Sequence, residues 1–218
     1  MPQDLDAVNP SEKMIPLTPE LKKSIQTALD EEISKERKEV LHVLVEYIIK
    51  KRTENSVVNL NFICTHNSRR SQFSQIWAHT AAAYYGIPAN CFSGGVEVTA
   101  FNERAVASIE RSGFLVTSTG ETNPHYQVSY HKEASPLLVF SKLVEDPINT
   151  SNPFAAVMTC AHADENCPFI PGTEQRIPLR YEDPKRFDNT PLEAEKYDER
   201  SLQIAAELFY VFKRVSKS

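Results

Sequence analysis

The stretch Val57-Val58-Asn59-Leu60-Asn61-Phe62-Ile63-Cys64-Thr65-His66-Asn67-Ser68-Arg69-Arg70-Ser71-Gln72-Phe73-Ser74-Gln75-Ile76-Trp77-Ala78 decides the fold. An apolar, strand-like run ends in a cysteine, five residues follow, and arginine and serine open a helical pattern. Strand, short loop and helix in that order build an anion cradle. The loop amides converge, and the helix N-terminus adds its positive end at the same place. A field that binds an oxyanion also favours a thiolate, so Cys64 reads as a nucleophile. Arg70 closes the loop with a fork suited to a tetrahedral oxyanion.

Around this stretch the chain alternates. Val57–Ile63 reads as a strand, and Ser71–Tyr85 as a helix closed by Gly86. Asn90–Gly94 is a short strand, and Asn102–Ser112 a helix closed by Gly113. Residues 126–130 and 137–140 are short strand candidates. Ala155–Thr159 is a strand running into Cys160, Ile177–Arg180 is an extended piece, and Leu192–Val215 holds the last helix. Strands separated by helical patterns predict an α/β fold: a doubly wound parallel sheet with helices on both faces. Ligands of such sheets bind at the carboxyl ends of the strands, where Cys64 lies.

Residues 1–55 read as an N-terminal arm and helical extension, and 56–218 as the catalytic domain. Thr18-Pro19-Glu20 has the hydroxyl, proline and acid of a helix start. Leu21, Ile25, Ala28 and Leu29 then form an apolar stripe, and Val40, Leu41, Leu44, Val45 and Ile48 form another. The stripes must cover something. The core of the same chain is the default, and a homodimer through these helices or a partner helix are alternatives.

Composition narrows the class. The chain has 218 residues, 41% of them hydrophobic and 24% charged, which suits one globular domain with an extension. A net charge of −5 argues against general nucleic-acid binding. The N-terminus lacks the pattern of a signal peptide, and no apolar run is long enough for a membrane span, so a cytoplasmic location is expected. In a reducing compartment, four cysteines point to chemistry or chance more than to structural disulfides.

The loop resembles that of the low-molecular-weight protein tyrosine phosphatase superfamily, which includes the thioredoxin-coupled arsenate reductases. The family pattern is cysteine, two residues, asparagine, two residues, arginine, serine, matched by Cys64, Asn67, Arg70 and Ser71. The resemblance covers about residues 57–215. It implies that Cys64 is the nucleophile, Arg70 clamps the oxyanion, Ser71 donates to the thiolate and Asn67 braces the loop. Thr65, His66, Asn67, Ser68, Arg69, Arg70 and Ser71 would form the substrate-binding loop. His66 stands where relatives usually have glycine, which would put a side chain at a sensitive backbone position. Arg69 adds a second cation.

Two further segments carry chemistry. Cys160-Ala161-His162-Ala163-Asp164-Glu165-Asn166-Cys167 follows an apolar strand. Its two thiols could pair if the segment looped back, or they could be structural. A metal site from Cys160, His162 and Cys167 lacks the paired spacing of zinc ligands, so no metal is expected. The segment, with Pro168 after it, resembles the redox segment of the arsenate reductases. That implies a relay: Cys160 attacks Cys64, Cys167 attacks Cys160, and thioredoxin or a similar thiol reductant opens the final disulfide. In Tyr181-Glu182-Asp183-Pro184, Asp183 before proline matches the superfamily's general acid, with Glu182 as a neighbouring candidate.

Cys91, Phe73, Trp77, Tyr84 and Tyr85 read as packing residues. His79, His125 and His131 are isolated, and Ser93-Gly94-Gly95 is either a pocket wall or a tight turn. The leading reading is an arsenate reductase-like enzyme. One alternative is a phosphatase acting on phosphotyrosine proteins, and another is an oxyanion or redox sensor without turnover. No tightly bound cofactor is expected, only an oxyanion (phosphate, sulfate or arsenate) in the Cys64–Arg70 loop.

Overall fold

The strand of the quoted stretch is β1, and all six of its residues are buried. A computed structural model describes residues 15–149, 152–166 and 169–218. In chain order the elements are α1 (Pro19–Asp30), α2 (Lys35–Thr53), β1 (Asn59–Cys64), α3 (Arg70–Tyr84), β2 (Asn90–Gly95) and α4 (Glu103–Arg111). Then come β3 (Leu115–Thr119), β4 (His125–Ser129), β5 (Leu137–Val139), β6 (Phe154–Met158), α5 (Ala161–Asn166), β7 (Thr173–Ile177) and α6 (Glu193–Ser216).

The central sheet is parallel, in the order β2-β1-β6-β7, so the chain leaves β1 to one side and returns on the other. Successive residues along a strand face opposite sides. Leu60 and Phe62 of β1, with Ala155 and Val157 of β6, enter the larger core. Ile63, with Phe154, Ala156 and Met158, enters a smaller one that includes Val144, Cys160 and Ala163. The sheet is therefore covered on both faces, which is the α/β architecture expected. Register aligns Ile63 with Met158 and Cys64 with Gly95, so the loops after β1, β2 and β6 leave the sheet side by side.

The N-terminal helices start as their sequence implies. Thr18 Oγ1 accepts from the Leu21 N–H at 3.2 Å, and Ser34 Oγ from the Arg37 N–H at 3.2 Å. Leu21, Ile25 and Ala28 are buried in the larger core, and both helices pack on α6 of the same chain. The stripe that offered a dimer face is thus used within the chain. α2 is tied to β7, since Tyr47 and Lys51 both reach Glu174 Oε1 at 2.7 Å.

Three features differ from the sequence expectation. The pieces at 126–130 and 137–140 belong to a second, antiparallel sheet, β3-β4-β5, and its first strand had no signal. β3 is largely exposed, so no apolar alternation marks it. The extended piece at 177–180 is displaced to β7, an edge strand whose charged Glu174 and Arg176 disguised it. Ala161–Asn166, to which the sequence assigned no element, forms a short helix. No described helix is long and apolar enough to cross a membrane.

Candidate active site

The loop between β1 and α3 is held from outside by its carbonyls. Thr65 O accepts from the N–H groups of Val96 (2.8 Å) and Glu97 (2.9 Å). His66 O accepts from Ser141 Oγ at 2.8 Å, Asn67 O from Gln72 Nε2 at 2.8 Å, and Ser68 O from the Asn102 N–H at 2.9 Å. With four successive carbonyls engaged, the amides are left over. Among the described residues nothing accepts from the main-chain N–H of Thr65, His66, Asn67, Ser68 or Arg69. Thr65, Asn67, Ser68 and Arg69 are buried, and buried donors of this kind are almost always paired.

Cys64 is 3% exposed, and its Sγ lies 3.0 Å from Ser71 Oγ. Asn67 fixes the direction of that bond. Its Oδ1 accepts from the Lys142 N–H (3.0 Å), so Nδ2 is the atom that donates to Ser71 Oγ (2.8 Å). The Ser71 hydroxyl, already accepting, is free to donate its proton to sulfur. Asn67 also occupies the left-handed region at φ +46°, which asparagine tolerates. This corrects the expectation for His66. The special backbone position is the next residue, and the His66 imidazole turns outward to 3.3 Å from Glu97.

Arg70 and Arg69 converge on Asp183. Arg70 Nη2 donates to Asp183 Oδ2 at 2.8 Å, and Arg69 Nε to Oδ1 at 3.0 Å. Arg70 Nη1 donates to the Tyr181 carbonyl at 3.1 Å, while its buried Nε has no partner among the described residues. Burial pushes the Asp183 carboxyl up, but the two guanidinium groups outweigh it and hold the carboxyl below its ordinary value. Glu182 is exposed, so Asp183 is the acid that meets the loop. The Tyr181 carbonyl was invisible in sequence, because it is main chain.

The second thiol is near. Cys160 is 2% exposed, and its Sγ lies 3.6 Å from Thr65 Oγ1 and accepts from the Ala163 N–H at 3.4 Å. Thr65 Oγ1 is also 3.1 Å from His162 Nδ1. Cys167 and Pro168 lie outside the described residues. Cys91 is buried, and burial pushes its thiol up to about 12, as suits a small core residue. Trp77 packs edge-on against Phe114, with its indole N–H on Ser201 Oγ. Among the described residues no three His, Cys, Asp or Glu side chains are grouped to hold a metal. Beside the loop lies a cavity of about 520 Å³, lined in part by His66, Ser68, Arg69, Phe101, Tyr126 and Lys185.

No family model matches the chain. An arsenate reductase of Brevibacillus brevis is 28% identical over 123 residues, which are 56% of this chain and 74% of the relative. Among solved structures, a low-molecular-weight phosphotyrosine phosphatase of Vibrio cholerae aligns with a TM-score of 0.48 at 14% identity, covering 71% of this chain and 93% of that one. A thioredoxin-dependent arsenate reductase of Corynebacterium glutamicum aligns with a TM-score of 0.41 at 17% identity, covering 89% and 84%. In sequence, then, the chain is similar to arsenate reductases, which are enzymes, and its loop carries Cys64, Asn67, Arg70 and Ser71.

Proposed function

We propose that the protein is an arsenate reductase-like enzyme that uses three thiols in series. What supports the reading most is the set of donors, in the loop that Cys64 opens, with no acceptor among the described residues: five main-chain N–H groups and Arg70 Nε. Such a set is complementary to a tetrahedral oxyanion, whose arrival would satisfy them together.

In the proposed sequence, the Cys64 thiolate attacks arsenic(V) and a protonated oxygen leaves, with Asp183 supplying the proton. The Cys160 thiolate then attacks Cys64 sulfur. A disulfide forms, the sulfur–arsenic pair departs with arsenic, and arsenite leaves as arsenic(III). Cys167 next attacks Cys160 and releases the Cys64 thiolate. A thioredoxin-type dithiol reduces the Cys160–Cys167 disulfide by exchange. The contact between Thr65 Oγ1 and Cys160 Sγ favours the second step, since it ties Cys160 to the residue after Cys64.

A second reading, hydrolysis of phosphate monoesters, is favoured by the 520 Å³ cavity. The cavity borders the loop at His66, Ser68 and Arg69, where an organic group on an oxyanion held by the loop would find room and a bare oxyanion would not use it. One experiment separates the two. Reduced protein is mixed with arsenate and its thiols are counted. The reductase reading expects two thiols lost per chain and one arsenite formed. Cys160→Ser and Cys167→Ser should abolish dithiol-coupled turnover. Full turnover in either variant overturns the relay, and aryl phosphate hydrolysis that ignores both substitutions would establish the second reading.

A further inference from the structure

From the geometry at the start of α2 we infer that Arg37, in the N-terminal helical extension, is a positioning residue for the active-site acid. The inference rests on the reading of Asp183 as proton donor. It concerns a part of the chain outside the loop, the thiols and the acid segment.

Arg37 lies in the first turn of α2, where Ser34 caps the helix. Its guanidinium makes a two-pronged ion pair with Glu207 of α6, Nε to Oε1 at 2.8 Å and Nη2 to Oε2 at 2.7 Å. Glu207 is only 3% exposed, so this pair is desolvated and geometrically restricted. Gln203 Nε2 donates to the same Oε1 at 3.1 Å, which further fixes the carboxylate. The Arg37 guanidinium carbon lies over the Tyr181 ring, 4.8 Å from its centroid.

Tyr181 is the point where this arrangement meets the chemistry. It is 5% exposed, and its N–H donates to Thr159 O at 3.1 Å, next to Cys160. Its carbonyl holds Arg70 Nη1, and two residues later Asp183 holds Arg70 Nη2. The segment bearing Asp183 is thus pinned at Tyr181: main chain to β6 and the loop, side chain to α2. Arg37 links it to the extension through the guanidinium that lies over the Tyr181 ring. A shift of the Tyr181 ring would carry Asp183 away from Arg70, and misplacement of about an ångström is enough to slow chemistry ~100-fold.

Two variants test this without leaving a lone buried charge. Arg37→Lys keeps the charge opposite Glu207 and loses the two-pronged fork and the guanidinium over Tyr181. The double variant Arg37→Met, Glu207→Leu removes the pair together. The deciding readout is the titration of the Asp183 carboxyl, followed by carboxyl-carbon NMR in each full-length protein, and it needs no turnover. Both variants are expected to move that titration upward, toward the ordinary aspartate value, because Asp183 drifts from the arginines. An unmoved titration in the two folded variants overturns the proposal. Kinetics give an independent arm. On phenyl phosphate, whose leaving group needs a proton, kcat should fall about tenfold with KM within about twofold. On 2,4-dinitrophenyl phosphate, whose leaving group needs none, kcat should change far less. Equal losses on both esters mark a merely structural role and also overturn the proposal. If the unaltered protein hydrolyses neither ester, the ester-hydrolysis reading fails, and the titration still decides the role of Arg37.

Discussion

The two oxygens of Asp183 have different partners. Oδ1 accepts from Arg69 Nε and from the Lys185 N–H at 3.1 Å, whereas Oδ2 accepts from Arg70 Nη2. An oxyanion that takes the Arg70 fork releases Oδ2 and leaves Oδ1 anchored. In the proposed mechanism, Oδ2 would then be the atom to carry a proton to the leaving oxygen. Arg69, which replaces no residue of the family pattern, thereby becomes the anchor of the acid. Its charge also lowers the Asp183 carboxyl, so a proton donor is lost at lower pH than it would be without Arg69. Arg69→Gln removes one of two lowering charges. The high-pH limb of kcat/KM for phenyl phosphate should then move upward, because one of the two opposite charges that hold the carboxyl down is gone. A pH–rate profile checks this, and an unmoved limb would remove Arg69 from control of the acid.

At the scale of elements, the loop is shaped by β2 and the segment after β5. Gly95 ends β2 against the loop: a Cβ there would sit 2.8 Å from Asn67 N and 2.9 Å from Thr65 O. Those are backbone atoms of the loop and cannot turn aside. Gly95→Ala should therefore cost about 2 kcal/mol by overpacking, lowering Tm by about 4–8 °C for a domain of this size. It should also weaken sulfate or phosphate binding, measured by calorimetry. Gly86 is the control, with open space where a Cβ would be, although its φ of +62° strains any substitution. Gly86→Ala should lower Tm modestly and leave oxyanion binding as it is. Binding unchanged in Gly95→Ala would show that the loop is not set by this contact. The Ser93-Gly94-Gly95 signal was legible in sequence only as an alternative between pocket wall and turn. Its meaning depends on Val144, Thr65 and Asn67, which approach from other segments. By contrast, the order of Cys64, Asn67, Arg70 and Ser71 was fully legible, because one short loop sets their mutual geometry. Asp183 was legible as a motif, but its two arginine partners lie more than a hundred residues away.

For the whole molecule, apolar stripes on α1 and α2 announced burial, yet they could not say that α6 of the same chain receives them. A stripe specifies an apolar partner and nothing more. Lys142 is the reverse case: lysine is a residue type almost never fully buried unless paired, and the fold encloses this one at 2% exposure. Its main-chain N–H is needed by Asn67, and this fixes where its side chain must go. Among the described residues Nζ finds only Ser93 Oγ and Phe140 O, both at 3.4 Å, with the Phe140 ring 4.9 Å away. Burial pushes its ammonium down from 10.5 to about 8, and Asp146 restores only part. The sign of the linkage follows. Between pH 8 and 10.5 the unfolded chain keeps a proton that the folded chain has lost, so this residue makes stability rise with pH. Below pH 8 both states hold the proton and the folded state bears the full penalty. Lys142→Met keeps the side-chain length and the N–H to Asn67 while removing the charge. It should stabilise the protein at pH 7 by on the order of 2–3 kcal/mol, and the gain should shrink toward zero near pH 10.5. Urea midpoints of both proteins at pH 7 and pH 10 measure the difference. A variant less stable at pH 7, with a gap independent of pH, would mean that the ammonium is compensated in the fold and that the penalty does not exist.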